Sequence, residues 1–260
     1  MTSTTPLKLP TPSTSHITSQ PVYPPSEDSY LLLDAFSLPS EVAFTTSRFP
    51  AATTPPPLLV EIGTGSGVVS AFVAAHALTL FNRRDIITLG LDVSFTANTV
   101  TNTTISKACA EHPSTAATFL DSITSDLTTC LKPSCVDILI FNPPYVPTSE
   151  HPSLSTLRDG KTQQKVIVNS KSKEDYDMEE YLLSLTYAGG EKGMETTDRL
   201  LDQLHQVLSE RGVLYLLLCA GNKPVEVVER VTGMGRGWKM ELVIERRAGW
   251  EILSIWRVYR

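Results

Sequence analysis

The sequence has little of what staples small proteins or holds metals. Its four cysteines (Cys109, Cys130, Cys135, Cys219) show no CxxC spacing and its five histidines are scattered. A structural zinc site and a disulfide framework are therefore not expected, no metal ligand is assigned, and a reducing compartment fits. No apolar run approaches the roughly 20 residues needed to cross a bilayer. The longest, Val213 to Ala220, suits a strand. Basic residues are in deficit, 22 Lys and Arg against 28 Asp and Glu, and the formal net charge of -6 counts against a phosphate-tracking surface. The clusters Arg246-Arg247 and Lys161, Lys165, Lys171 and Lys173 read as solvated surface. No Gly-Lys-Ser/Thr is present, which excludes a P-loop. The first 20 residues lack Asp and Glu but also Arg; Lys8 is the only basic side chain before Arg48. An Arg-poor segment makes a poor presequence, so a disordered tail is expected over residues 1–20.

What is present points to one globular α/β domain over residues 21–260. Hydrophobic residues make up 41% and charged residues 19% of 260, ordinary values for a packed core. Eleven of the 18 prolines precede Leu58, and loop-like, low-complexity inserts are expected near 37–57 and 148–180, the second a candidate lid. Among the early prolines Ser26, Glu27, Asp28 and the run Tyr30 to Ala35 read as a capped helix. Leu58 to Ile62 reads as a strand, Gly63-Thr64-Gly65-Ser66-Gly67 as a turn, and Val68 to Phe81 as one buried helix. Strands follow at 86–91, 116–123, 136–140 and 213–219. Helices are expected at 94–109, 196–208 (stopped by Gly212) and from Asn222 and Pro224 to about 231. A hairpin, 238–245 with 250–258, closes the chain. Alternating strands and helices imply right-handed crossovers and a mostly parallel sheet.

Two strand ends carry the chemistry. The strand–glycine turn–helix unit is a nucleotide cradle, because glycines let a ligand approach the backbone. Its G-x-G-x-G spacing differs from the dehydrogenase fingerprint, whose third glycine would fall on Val68. Asp92 ends the second strand, where a carboxylate can accept both hydroxyls of a ribose. Asn142-Pro143-Pro144-Tyr145 ends the strand from Val136. Proline fixes φ and lacks an N–H, so the pair makes a rigid corner. Asn142 Oδ1 and the Pro143 carbonyl are two acceptors suited to a planar –NH2, and Tyr145 offers a flat face to stack on it.

The chain resembles the HemK-like family of eukaryotic glutamine methyltransferases, from about Tyr23 to the C-terminus. The resemblance rests on Tyr23-x-Pro-x-Glu27-Asp28-Ser29, Glu61 to Phe72, Asp126-Leu127, Asn142 to Tyr145, Ala188-Gly189-Gly190 with Gly193, and Asp198-Arg199. It implies a Rossmann-like seven-stranded methyltransferase fold with a reversed last strand and S-adenosylmethionine as cofactor. The implied cofactor site comprises Tyr23, Ser29, Glu61, Gly63, Gly65, Asp92 (ribose), Asp126 (adenine amino group), Leu127 and Asn142. The implied catalytic residues are Asn142, Pro143 and Tyr145. The implied substrate is the Gln of the Gly-Gly-Gln loop in a translation termination factor. The implied partner is a small zinc-binding activator subunit, pairing at the sheet edge near Ala116–Leu120 in a heterodimer. Where relatives follow the ribose aspartate with Asn-Pro, this chain has Val93-Ser94, which leaves the start of the next helix open. No membrane association and no nucleic acid are expected, and the location is cytoplasmic with the nucleus as a second compartment. The alternatives are adenine-amino methylation of nucleic acid, protein lysine methylation and a non-catalytic cofactor-binding scaffold. The first lacks its basic surface; the second fits poorly a corner built for a planar amine; the third is disfavoured by intact Glu61, Asp92 and Asn142.

Overall fold

The structure, a computed structural model, describes residues 5–17, 22–148, 181 and 184–260. The insert expected at 148–180 therefore falls outside the described residues except for Thr148. Among them seven strands form one sheet: β1 (Leu58–Ile62), β2 (Ile87–Asp92), β3 (Thr118–Thr124), β4 (Val136–Phe141), β5 (Leu208–Cys219), β6 (Lys239–Ala248) and β7 (Glu251–Tyr259). Their order is β3-β2-β1-β4-β5-β7-β6, parallel from β3 to β5 and antiparallel where β7 pairs with β5 and β6. Going from β1 outwards, the chain steps to β2 and β3 on one side, then returns to β4 on the other. Such a reversal opens a crevice at the carboxyl ends of β1 and β4.

Period-two burial sorts the strands between two layers. Leu59, Ile138, Ile140, Tyr215 and Ile255 face α1 (Glu27–Phe36), α3 (Val68–Ala75) and α4 (Ala77–Phe81). Val60, Leu139, Phe141, Leu214 and Leu216 face α6 (Glu195–Val207) and α7 (Pro224–Gly233). The central strands β1 and β4 are buried on both faces, which is why they read as unbroken apolar runs. α5 (Phe95–Glu111) packs beside α3 and covers β3.

Four expectations are corrected. Residues 37–57 are not all loop: α2 spans Pro39–Arg48, with Pro39 in its first turn. Its Thr- and Ser-rich sequence has weak intrinsic propensity, and tertiary partners fix it. Glu41, 3% exposed, accepts from Tyr215 Oη (2.9 Å) and Arg257 Nη1 (2.8 Å). The helix read as continuous over 68–81 breaks at His76 into α3 and α4. Gly212 does not stop α6; it lies inside β5, where a register shift brings it against Val136 and a Cβ would stand 2.9 Å from that residue's carbonyl oxygen. Residues 5–17 do not hang free. Leu7 N–H donates to Ser37 O (2.8 Å), Pro10 O lies 2.9 Å from His76 Nε2, and Pro12 is buried.

Burial raises the Glu41 carboxyl above its usual range despite the Arg257 guanidinium beside it. Arg257 also stacks over Phe44, 3.7 Å from the ring centroid. Arg257→Ala would leave a buried carboxylate without its cation and α2 without its anchor. A loss of about 3–5 kcal/mol is expected in chemical denaturation, with Arg257→Lys recovering part of it.

Candidate active site

The glycine turn is held open by its own helix partner. Gly63, Gly65 and Gly67 all have positive φ (69°, 51° and 73°), and a Cβ on Gly67 would stand 2.8 Å from Thr101 Cα. The threonines that make α5 a weak helix by propensity are its contacts to this turn. Thr101 Oγ1 donates to Thr64 Oγ1 (2.9 Å) and Thr104 Oγ1 to Ser66 O (2.7 Å), both side chains fully buried. Ser94 caps α5 by accepting from Ala97 N (3.2 Å). The helix start left open by Val93-Ser94 is thus an ordinary serine cap.

Glu61, the penultimate residue of β1, is 3% exposed and accepts from the Ser70 backbone N–H (2.9 Å) and hydroxyl. Burial pushes its carboxyl up to about 8, with Asp92 adding to the rise. Asp92 accepts from Gly65 N (3.0 Å) and Ser94 N (2.9 Å), one on each oxygen. Each oxygen keeps a lone pair for a diol. Desolvation raises Asp92 as well, so neither carboxylate is settled without a cationic or hydrogen-bonding ligand. Between pH 4.5 and 8 the folded chain holds a proton on Glu61 that the unfolded chain has lost, so stability declines as pH rises through that window. Glu61→Gln is expected to flatten the decline, measured as denaturation midpoint against pH.

The second strand tip meets the first. Asn142 Nδ2 donates to Asp28 Oδ2 (3.1 Å), while Asn142 Oδ1 is buried with no partner. A carboxylate only accepts, so Asp28 fixes which way the carboxamide faces: nitrogen to Asp28, oxygen free. Asp28 is itself 3% exposed and held by Ser29, whose N–H (2.6 Å) and hydroxyl (3.2 Å) both donate to its Oδ1. Across the crevice, a Cβ on Gly63 would stand 3.9 Å from the Asn142 carbonyl oxygen.

A cavity of about 160 Å³ joins these parts. Tyr23, Ser29, Glu61, Gly63, Gly65, Asp92, Asp126, Leu127, Asn142 and Pro143 all line it. Tyr145 does not; its ring packs at the margin of the α1 core cluster, and burial with Asp28 and Glu251 nearby pushes its phenol far up. Residues absent from the sequence assignment also line the cavity, Asp28, Thr196 and Arg199 among them. Arg199 Nη2 donates to Asp126 Oδ2 at 2.6 Å, so the proposed adenine acceptor is already oriented by a cation from α6. Leu127, 4% exposed, takes φ +50°, a conformation a leucine keeps only where its surroundings force it.

The corner's exit is clamped by the Ala188-Gly189-Gly190 segment. Val146 bridges Ala188 in parallel, its N–H donating to Tyr187 O (3.0 Å), and Gly189 N–H donates to Val146 O (2.9 Å). A Cβ on Gly193 would lie 2.0 Å from Tyr145 O, and one on Gly189 2.4 Å from Pro144 O. Asn222 buckles the layers together. Its Nδ2 donates to Tyr145 O (3.1 Å) and Gly193 O (3.2 Å), and its Oδ1 accepts from Cys219 N (2.9 Å). Read from sequence as a helix start, it is a clamp on the corner.

No family model matches the chain. Individual relatives do. The chain is 31% identical over 255 residues to the eRF1 methyltransferase catalytic subunit mtq2 of Schizosaccharomyces pombe, covering 97% of this chain and 96% of that one. It belongs to that methyltransferase family. Methyltransferase HEMK2 of Mus musculus is 29% identical over 258 residues, 96% of each chain. Among solved structures, the Mtq2–Trm112 complex of E. cuniculi, described as responsible for methylation of the eRF1 translation termination factor, is 22% identical with a TM-score of 0.51. It covers 93% of this chain and 99% of its counterpart. That match supports the fold, a Rossmann-like methyltransferase sheet with the antiparallel C-terminal pair.

Proposed function

We propose that this methyltransferase uses S-adenosylmethionine to methylate the side-chain amide nitrogen of the glutamine in the Gly-Gly-Gln loop of a class I translation termination factor. The observation that carries the reading is the orphaned Asn142 Oδ1, a buried acceptor held by Asp28 in a cavity with Asp92 and the glycine turn. A buried acceptor without a donor is costly, by roughly 1–3 kcal/mol, and an incoming –NH2 removes that cost. The set of acceptors fits the cofactor: Asp92 for a ribose diol, Glu61 for an ammonium, Asp126 for an adenine amino group. When bound, the cofactor supplies an electrophilic methyl group on sulfur.

The chain's own work is positioning. An amide nitrogen is a poor nucleophile because its lone pair is delocalised into the carbonyl. Asn142 Oδ1 and the Pro143 carbonyl accept the two amide hydrogens, hold the nitrogen in line and stabilise positive charge growing on it. Orientation of this kind can supply on the order of 7–11 kcal/mol of a barrier. With Tyr145 outside the cavity lining, the amide plane is set by Asn142 and Pro143, and Tyr145 contributes to the rigidity of the corner.

The partner reading is a small zinc-binding activator subunit paired along β3. That strand is the sheet edge beyond β2, and Leu120 (59% exposed) and Ile123 (39%) lie bare on it. An unpaired edge with exposed apolar side chains is a template for an added strand. A termination-factor substrate implies a cytoplasmic working compartment. The test is transfer of labelled methyl from S-adenosylmethionine to a termination factor, with and without the activator. Label that persists after Gln→Ala in the Gly-Gly-Gln loop rejects the reading.

A further inference from the structure

The C-terminal hairpin has one property that neither fold nor cofactor binding requires. Because β7 runs antiparallel to β5, with Cys219 opposite Leu253, the β6–β7 turn emerges at the same sheet edge as the tips of β1 and β4. That turn carries Trp250, 91% exposed, the barest large apolar side chain among the described residues. Next to it, Arg247 and Ile252 oppose each other in register and are both exposed, so they share one face of the hairpin. The Arg247 guanidinium donates to Gly249 O within its own turn, and among the described residues it pairs with no carboxylate.

The hairpin is fixed relative to the reacting corner. Arg246 Nη2 pairs with Asp34 of α1 at 2.5 Å, and α1 is the helix whose Asp28 holds Asn142. Glu251, next to Trp250, lies near enough to Tyr23 and Tyr145 to raise both phenols. A mobile turn could lose an exposed tryptophan to solvent at little cost. A turn tied to the catalytic helix presents it at a set distance from the cavity mouth. Tryptophan and arginine are also the residues that most often carry binding energy at protein interfaces.

We infer that Trp250, Arg247 and Ile252 form a docking ridge for the body of the protein substrate, beyond its methylated loop. This rests on the glutamine-transfer reading above and names a surface for it. The occupant is the polypeptide bearing the glutamine, recognised through an apolar patch with a carboxylate placed for Arg247. Continuity with the reacting corner, through the Arg246–Asp34 pair and Glu251 beside Tyr145, supports that occupant. The β6 edge lies at the opposite end of the sheet from β3, so substrate and activator would not compete.

The experiment compares two substrates of the same enzyme–activator complex, the whole termination factor and a short peptide spanning its Gly-Gly-Gln loop. Trp250→Ala and Arg247→Glu are expected each to raise KM for the whole factor by on the order of 30-fold, the scale of an interface hot spot. Values of kcat, cofactor affinity and turnover of the peptide should stay unchanged. A KM for the whole factor within about twofold of wild type in both variants overturns the ridge. So does an equal loss on the peptide, which would mean the hairpin acts through the corner. Concentration-dependent self-association that Trp250→Ala abolishes, with KM unmoved, would assign the tip to a second copy and overturn it too. Failure of the wild-type complex to label glutamine in either substrate sinks the underlying reading instead, and is seen before any variant is made.

Discussion

Asn142→Ala should abolish methyl transfer, lowering kcat by on the order of 100- to 1,000-fold while cofactor affinity changes little. The size follows from what is removed. The Asn142 Oδ1 is a buried acceptor without a partner on a residue that lines the cavity, and losing a preorganised group of this kind costs about 2.7–4 kcal/mol at the transition state. In the proposed reading most of the cofactor's contacts come from Asp92, the glycine turn and Asp126 rather than Asn142, so binding and rate should separate. Single-turnover kinetics beside isothermal titration of the cofactor would show it. Asp28→Ala offers a graded companion. It leaves the carboxamide in place but frees it to rotate, so a smaller loss, roughly 10- to 100-fold in kcat, is expected. Unchanged turnover in Asn142→Ala would refute its role outright.

Gly193→Ala should damage the site without touching it. The added methyl would fall 2.0 Å from Tyr145 O and 2.9 Å from Asn222 Nδ2, and the residue's φ of +67° disfavours any side chain. Backbone cannot yield as a flexible side chain would. The Asn142-Pro143-Pro144-Tyr145 corner must shift, or the Ala188–Gly193 segment must lift away, and Asn222 then loses its acceptors. A displacement of about 1 Å far from the chemistry can cost on the order of 100-fold in rate. The expected outcome is a folded protein with a lowered melting temperature, near-normal cofactor affinity and turnover reduced at least that far. Gly233→Ala is the control, since a Cβ there meets nothing within 4 Å.

Both predictions concern contacts between segments distant in sequence, and that division separates what was legible from what was not. The strand tips were legible because each is a local signal: a glycine run after apolar residues, an aspartate ending a strand, an asparagine before two prolines. Residue order alone also placed β1, β2, β4, α1 and the closing hairpin to within a few positions, since apolar periodicity and capping are read over a dozen residues. Asp28 was seen only as a favourable charge in a helix's first turn. Its partner lies 114 residues away, and no local pattern shows that one carboxylate will orient an amide on another strand.

The sequence by itself determined the fold class, the two tips that face each other and the kind of chemistry they suit, because backbone preference and side-chain type act locally. The tertiary structure decided the rest. It set the direction of the Asn142 carboxamide, packed Tyr145 against the α1 core cluster, turned Asn222 from a helix start into a clamp, and made a helix of Pro39–Arg48. The physical reason is the same in each case. A buried polar group takes its conformation from whichever partner satisfies its hydrogen bonds, and for Asn142, Asn222 and Glu41 that partner comes from another part of the chain.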